Sequence, residues 1–310
     1  MAVLFPETSF TQLVGCRVPI QQAGMGGVST PELAAAVARA GGLGMLGGAG
    51  LSAAQVAEQL DAALGVAGED GRIGVNFLVP FLDPAAFESA AELAPVVECF
   101  YGAPDEELVE RGHHGGALVA WQVGSLDEAR AAVDAGCDVL VVQGHEAGGH
   151  VRGTTPLLRL LDEVRDRVAL PLVAAGGIGN GERAAAAFAG GADAVRIGTR
   201  LLATPEADVH PAYAAALVTA GADDTVITEA FSLAWPNAPH RVLRSCIAAS
   251  GDDPSIRSPL PPTRDFAGRW EAAALYAGTS VDDVRRIEPA ARIVGELVAD
   301  LIRLHDREGP

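Results

Sequence analysis

Short apolar runs alternate with Ala-rich stretches whose apolar positions recur at helical spacing, from the N-terminus to about residue 200. Such alternation implies βαβ units around a parallel sheet. The candidate strands are Pro19–Met25, Gly42–Leu46, Arg72–Leu78, Val96–Tyr101, Ala117–Val123, Asp138–Gln143, Leu170–Ala175 and Ala192–Ile197. That is about eight, the number that closes a barrel, and several are apolar throughout, as strands covered on both faces are. Helix starts are marked by Thr30-Pro31, Ser52, Asp83-Pro84, the capping box Ser125-Leu126-Asp127-Glu128 and Thr155-Pro156. Gly41, Gly65, Gly136 and Gly190 are candidate helix ends. The segment after Tyr101 holds Pro104 and Gly112, so only a brief helix is expected there.

The rhythm changes after Leu202. Residues 211–220 read as helix, Phe231–Thr263 as irregular chain broken by prolines, and Val281–His305 as helix again. The expected fold is α/β, a (β/α)8 TIM barrel formed by residues 1–205 and 278–310. A small, partly helical lid domain, residues 206–277, is inserted before the C-terminal helix.

Composition narrows the chemistry. The formal net charge is −18, which argues against nucleic acid, whose phosphates need basic patches, and against anionic membrane surfaces. No apolar run approaches the roughly 18 residues of a membrane helix, and Met1–Phe10 does not read as a signal peptide. Cys16, Cys99, Cys137 and Cys246 form no C-x-x-C pair, so no metal is expected, and a reducing cytoplasm fits. All 22 basic residues counted as Lys or Arg are arginines. Without lysine, neither a Schiff base nor a lysine general base is available.

In a parallel barrel, chemistry sits at the C-terminal strand ends. Gln22-Ala23-Gly24-Met25-Gly26-Gly27 would let a flat ligand lie on bare backbone, or simply make a tight turn. Asn76 ends an apolar strand, as a partner for a ring edge or as a loop cap. Gln143-Gly144-His145-Glu146-Ala147-Gly148-Gly149-His150 crowds two histidines and an acid onto one strand end. His150 is the candidate proton-transfer group there; a metal would need further ligands than these. Ala174-Ala175-Gly176-Gly177-Ile178 and Arg196-Ile197-Gly198-Thr199-Arg200 follow the last two strands, where barrels frequently bind phosphate. Arg196 or Arg200 is expected to add charge. The residues thus point to a phosphate-bearing cofactor across a barrel mouth, with His150 facing it.

The motifs Q-G-H-E-A-G-G-H, A-A-G-G-I and R-I-G-T-R, with the opening P-I-Q-Q-A-G-M-G, resemble the nitronate monooxygenase family over most of the chain. The resemblance implies FMN. Gly24, Met25, Gly26, Asn76, Gln122, Gln143, Gly148 and Gly149 would contact the ring. Gly176, Gly177, Gly198 and Thr199 would hold the phosphate, with Arg196 and Ile197 contributing main chain, and His150 would match the catalytic histidine. The implied reaction is oxidation of alkyl nitronates with O2 to carbonyl compounds and nitrite. FMN-dependent reductases and dehydrogenases of activated C=C bonds or quinones share the motifs and would add NAD(P)H as a partner. A non-catalytic flavin- or phosphate-binding protein is the third alternative, against which His150 argues. One departure stands out: Gly278-Thr279 occupies the place where relatives often have a Gly-Gln pair. Oligomeric state is not encoded in any of these patterns.

Overall fold

The computed structural model describes residues 7–308 except Ala234 and Asp252, with side chains to Leu304. Its strands are β1 (Ile20–Gln22), β2 (Leu43–Gly47), β3 (Arg72–Leu78), β4 (Val96–Phe100), β5 (Leu118–Val123), β6 (Val139–Gln143), β7 (Gly149–His150), β8 (Leu172–Ala175), β9 (Ala194–Ile197), β10 (Thr225–Thr228) and β11 (His240–Leu243). Eight of them close a parallel barrel in the order β1-β2-β3-β4-β5-β6-β8-β9, sealed where Gln21 pairs with Arg196. The protein is therefore a (β/α)8 barrel. The remaining strands form an antiparallel sheet in the order β10-β11-β7, with His240 opposite His150.

Residues alternate between the two faces of each strand. Leu43, Met45, Val96, Ala120, Val139, Val141, Val173 and Ala194 form one cluster inside the barrel, joined by Phe10 and Val14 of the short helix Ser9–Val14. The opposite faces pack against the helices in a larger cluster. Tyr213, Phe231, Val242 and Leu275, all from the 206–277 segment, belong to that same cluster, so apolar core runs continuously from the barrel into that segment.

The caps Thr30, Ser52, Asp83 and Ser125 each accept a backbone N–H as expected. Five details differ from the sequence pattern. The segment after Tyr101 carries a ten-residue helix, Glu106–Gly115, because Asp105 caps two of its backbone N–H groups. Gly65 lies inside the helix Ala53–Ala67, which ends at Gly68. At the end of Gly181–Ala189 it is Gly191, not Gly190, that adopts the left-handed backbone. The last helix begins at Ala290 after Pro289, not at Val281; residues Thr279–Asp283 make a separate 3-10 turn. And Phe231–Thr263 contains β11 and the helix Arg244–Ser250.

Candidate active site

A polar layer lies inside the barrel beside its apolar filling. Arg196 on β9 and Glu98 on β4 form an ion pair, with the two side chains 7% and 0% exposed. All three guanidinium nitrogens of Arg196 are engaged: Nε and Nη2 donate to Gln21 Oε1 (3.1 and 2.9 Å), Nη1 donates to Glu98 Oε1 (2.9 Å) and Gln122 Oε1 (2.6 Å), and Nη2 also meets Glu98 Oε2. Glu98 accepts further from Asn76 Nδ2 at 2.7 Å and Gln21 Nε2 at 3.3 Å. A buried pair is tolerated only when its remaining donors and acceptors are filled in this way. The network fixes two amides. Gln122 commits its oxygen to Arg196, which leaves its NH2 to donate; Asn76 commits its NH2 to Glu98, which leaves its oxygen to accept.

This placement corrects one expectation. Neither Arg196 nor Arg200 lends its side chain to a phosphate. Arg196 is consumed by Glu98, and Arg200 binds Gly179 O, Glu288 and Glu296. Glu98 itself was not singled out in the sequence. The signal was present, since an acid within the apolar run Val96–Phe100 must be paired if buried.

Around the mouth, Gly24 lies so near Asn76 that an added Cβ would stand 2.5 Å from the Asn76 Cβ, while nothing comes within 4 Å of one added at Gly26. Met25 N donates to Ser29 Oγ. The Ile197 side chain is buried in the core, its carbonyl accepts from Ala23 N, and the neighbouring Gly198 faces Ala23. Gly176 and Gly177 both have positive φ, at 119° and 69°. Thr199 Oγ1 accepts from Gly278 N at 2.9 Å. Gly148 and Gly278 pack backbone on backbone: a Cβ on Gly148 would fall 2.4 Å from Gly278 N. Gln143 is committed differently from the resemblance. Its Nε2 donates to His150 O (2.9 Å) and its Oε1 accepts from Arg152 N (3.2 Å), so it holds the strand that carries the histidine. Gly149, at φ 72°, pairs with Arg241 in the antiparallel sheet.

His150 stands in a wall of rings. Centroids lie 4.3 Å away for Trp235, 5.4 Å for His240, 5.6 Å for Tyr101 and 5.7 Å for Tyr276. Phe81 extends the wall outward, 4.9 Å from Trp235 and 46% exposed. Burial, followed by the neighbouring His240, pushes the His150 pKa down to about 3, so its ring is neutral at physiological pH. Among the described residues its ring makes no hydrogen bond. Arg152 sits over the Tyr101 ring at 5.2 Å and binds Glu128 through Nε at 2.9 Å.

Most other polar residues of this region bind main-chain groups, while His145 Nδ1 is buried without a hydrogen bond. Glu146 accepts from Leu157 N with both oxygens, capping the helix Leu157–Arg165 that Thr155 was expected to open. His145 packs beside Glu146 at 3.8 Å. His240 is fully buried and accepts from Phe231 N, and its Nδ1 faces Ala238 O at 3.0 Å. Arg241 clamps His145 O through Nε and Nη2 and donates to Thr225 Oγ1; Arg244 binds Asp223 O. The aromatic wall was missed because its members come from positions 101, 235 and 276, which no local pattern connects. Among the described residues no cluster of three or more His, Cys, Asp or Glu is arranged to hold a metal.

A closed parallel barrel with a polar layer, glycine-lined strand ends and, at its mouth, a histidine held neutral among aromatic rings defines a (β/α)8-barrel protein with its candidate site at the strand ends. A family model described as nitronate monooxygenase matches residues 7–93 and 86–300, and the chain belongs to that family. It is 36% identical over 243 residues to the (3aS,4S,5R,7aS)-5-hydroxy-7a-methyl-1-oxo-octahydro-1H-indene-4-carboxyl-CoA dehydrogenase of Mycobacterium tuberculosis, covering 77% of this chain and 66% of that protein, just under two thirds of its length. A probable nitronate monooxygenase of Staphylococcus aureus is 29% identical over 276 residues, covering 74% of this chain and 77% of that one. Among solved structures, FabK from Thermotoga maritima superposes with a TM-score of 0.84 at 29% identity, covering 98% of each chain. Nitroalkane oxidase from Streptomyces ansochromogenes superposes at 0.82 and 30% identity, covering 97% of this chain and all of that one (100%).

Proposed function

We propose that the chain is an FMN-dependent oxidoreductase that oxidises alkyl nitronates with O2 to carbonyl compounds and nitrite. The observation that carries this reading is the neutral, unpaired His150 held among aromatic rings at the barrel mouth. The residues present suit FMN. Gln122 offers a donor and Asn76 an acceptor, as a pyrimidine edge that both accepts and donates requires. Gly24, Met25, Gly26, Gly148 and Gly149 leave bare backbone for the ring. The phosphate falls to Gly176, Gly177, Gly198 and Thr199 with the main chain of Arg196 and Ile197, since both arginine side chains are engaged elsewhere. Bound FMN would supply the electron acceptor and the site of reaction with O2.

His150 does the rest as a neutral imidazole. One ring N–H donates to a nitronate oxygen and orients the anion; the other nitrogen can accept an α-proton when the substrate arrives as the neutral nitroalkane. The ring wall excludes water, which strengthens that single hydrogen bond.

A second reading has its own support. The chain is 36% and 34% identical to the two CoA-thioester dehydrogenases but 29% to the probable nitronate monooxygenase, and the exposed Phe81 beside Trp235 offers an apolar approach. Under it the enzyme acts next to a thioester carbonyl, as a dehydrogenase or as an NAD(P)H-dependent reductase. Anaerobic visible spectra distinguish the two. Bleaching of the flavin band by propionate 3-nitronate alone supports nitronate oxidation. Bleaching only by NADH, NADPH or an acyl thioester moves the assignment to the second reading. A protein that takes up no FMN removes both.

A further inference from the structure

Beyond the glycine loops, one hydroxyl at the cofactor mouth has no role in the fold. Thr279 Oγ1 is buried and makes no hydrogen bond. A buried hydroxyl without a partner is costly, and native chains keep few of them. Its surroundings are those of the phosphate loops. A Cβ built on Gly177 would stand 3.0 Å from this oxygen. The preceding residue, Gly278, donates its N–H to Thr199 Oγ1. Thr279 N is fixed to Glu146 O at 3.0 Å. The hydroxyl thus lies beside the loop after β8, on a segment tied to Thr199 in the loop after β9, and the side chains of Arg196 and Arg200 are bonded elsewhere. Arg183 stands there too: its Nη1 donates to Gly177 O at 3.0 Å and lies 3.3 Å from the same built Cβ.

We propose that Thr279 donates its hydroxyl to the phosphate of the bound nucleotide cofactor, so that the chain returning from the lid supplies a ligand that the barrel loops alone do not. The proposal rests on the FMN reading above.

The test compares FMN and riboflavin, which share the ring and differ by the phosphate. Dissociation constants are measured by flavin fluorescence quenching on reconstituted protein. Thr279→Val, which keeps the side-chain shape, is expected to weaken FMN binding by about 10- to 100-fold, the loss of one hydrogen bond to a charged group. It should leave riboflavin binding unchanged, and Thr279→Ser should retain FMN affinity within about threefold. Equal weakening of FMN and riboflavin would show a packing role and overturn the proposal, as would unchanged FMN binding in Thr279→Val. Failure of the unsubstituted chain to bind FMN at all would instead overturn the cofactor reading, and this proposal with it.

Discussion

At the scale of single residues, the chemistry concentrates on two side chains with opposite strategies. His150 is kept neutral by burial, and Arg196 has its charge matched by Glu98 and every guanidinium nitrogen engaged. His150→Ala should retain flavin while lowering kcat on nitronates by about 10²- to 10³-fold, the usual size of one lost hydrogen bond to the reacting anion in a dry site. Because its folded pKa is near 3, its imidazole resonances should show no titration between pH 5 and 8. The same depression links stability to acid. Above about pH 6.5 the neutral ring costs nothing; as the pH falls toward 3 the unfolded chain takes up a proton that the folded chain refuses, and stability drops by up to ~1.4 kcal/mol per pH unit. Urea denaturation of His150→Gln should show that slope reduced, and an unchanged slope would contradict the assignment. Glu98→Gln strands the Arg196 charge and should cost about 3–5 kcal/mol. The double variant Glu98→Leu with Arg196→Met should recover much of that stability yet bind FMN more weakly, because Gln122 and Asn76 lose the partners that orient them.

Among elements, the antiparallel sheet β10-β11-β7 explains why the site is only half legible from sequence. The eight barrel strands announce themselves by local pattern, apolar runs with capped helices between them. Gly149–His150 has just two residues in β7, and β10 and β11 have four each. Such strands exist through partners far along the chain, His150 with His240, and carry no periodicity of their own. Hence the motif histidine was readable, while its walls, Tyr101, Trp235 and Tyr276, were not. Glu98 was readable in principle as a buried charge, but its role depends on Arg196 across the barrel. Arg241 joins the sheet to the loop after β6 by its two bonds to His145 O. Arg241→Met should therefore raise amide exchange across residues 145–150 and lower stability by about 1–3 kcal/mol, with the exchange of β2 to β5 unchanged.

For the whole molecule, the barrel interior is divided by polarity. Phe10 and Val14 join the apolar filling, and the Arg196 layer lies beyond it. Phe10 is 1% exposed, so Phe10→Ala should cost about 3–5 kcal/mol without changing FMN affinity, separating stability from site. The last helix, Ala290–Glu308, packs against both Pro31–Arg39 and Gly181–Ala189, over the seam where β1 meets β9. That arrangement sets an order of assembly during translation. When β9 leaves the ribosome the barrel has all its strands, but the helix that covers its seam lies beyond residues 206–277, still to be made. The nascent barrel then carries an uncovered apolar face at that seam, which makes the synthesis of that segment its period of greatest need for a chaperone.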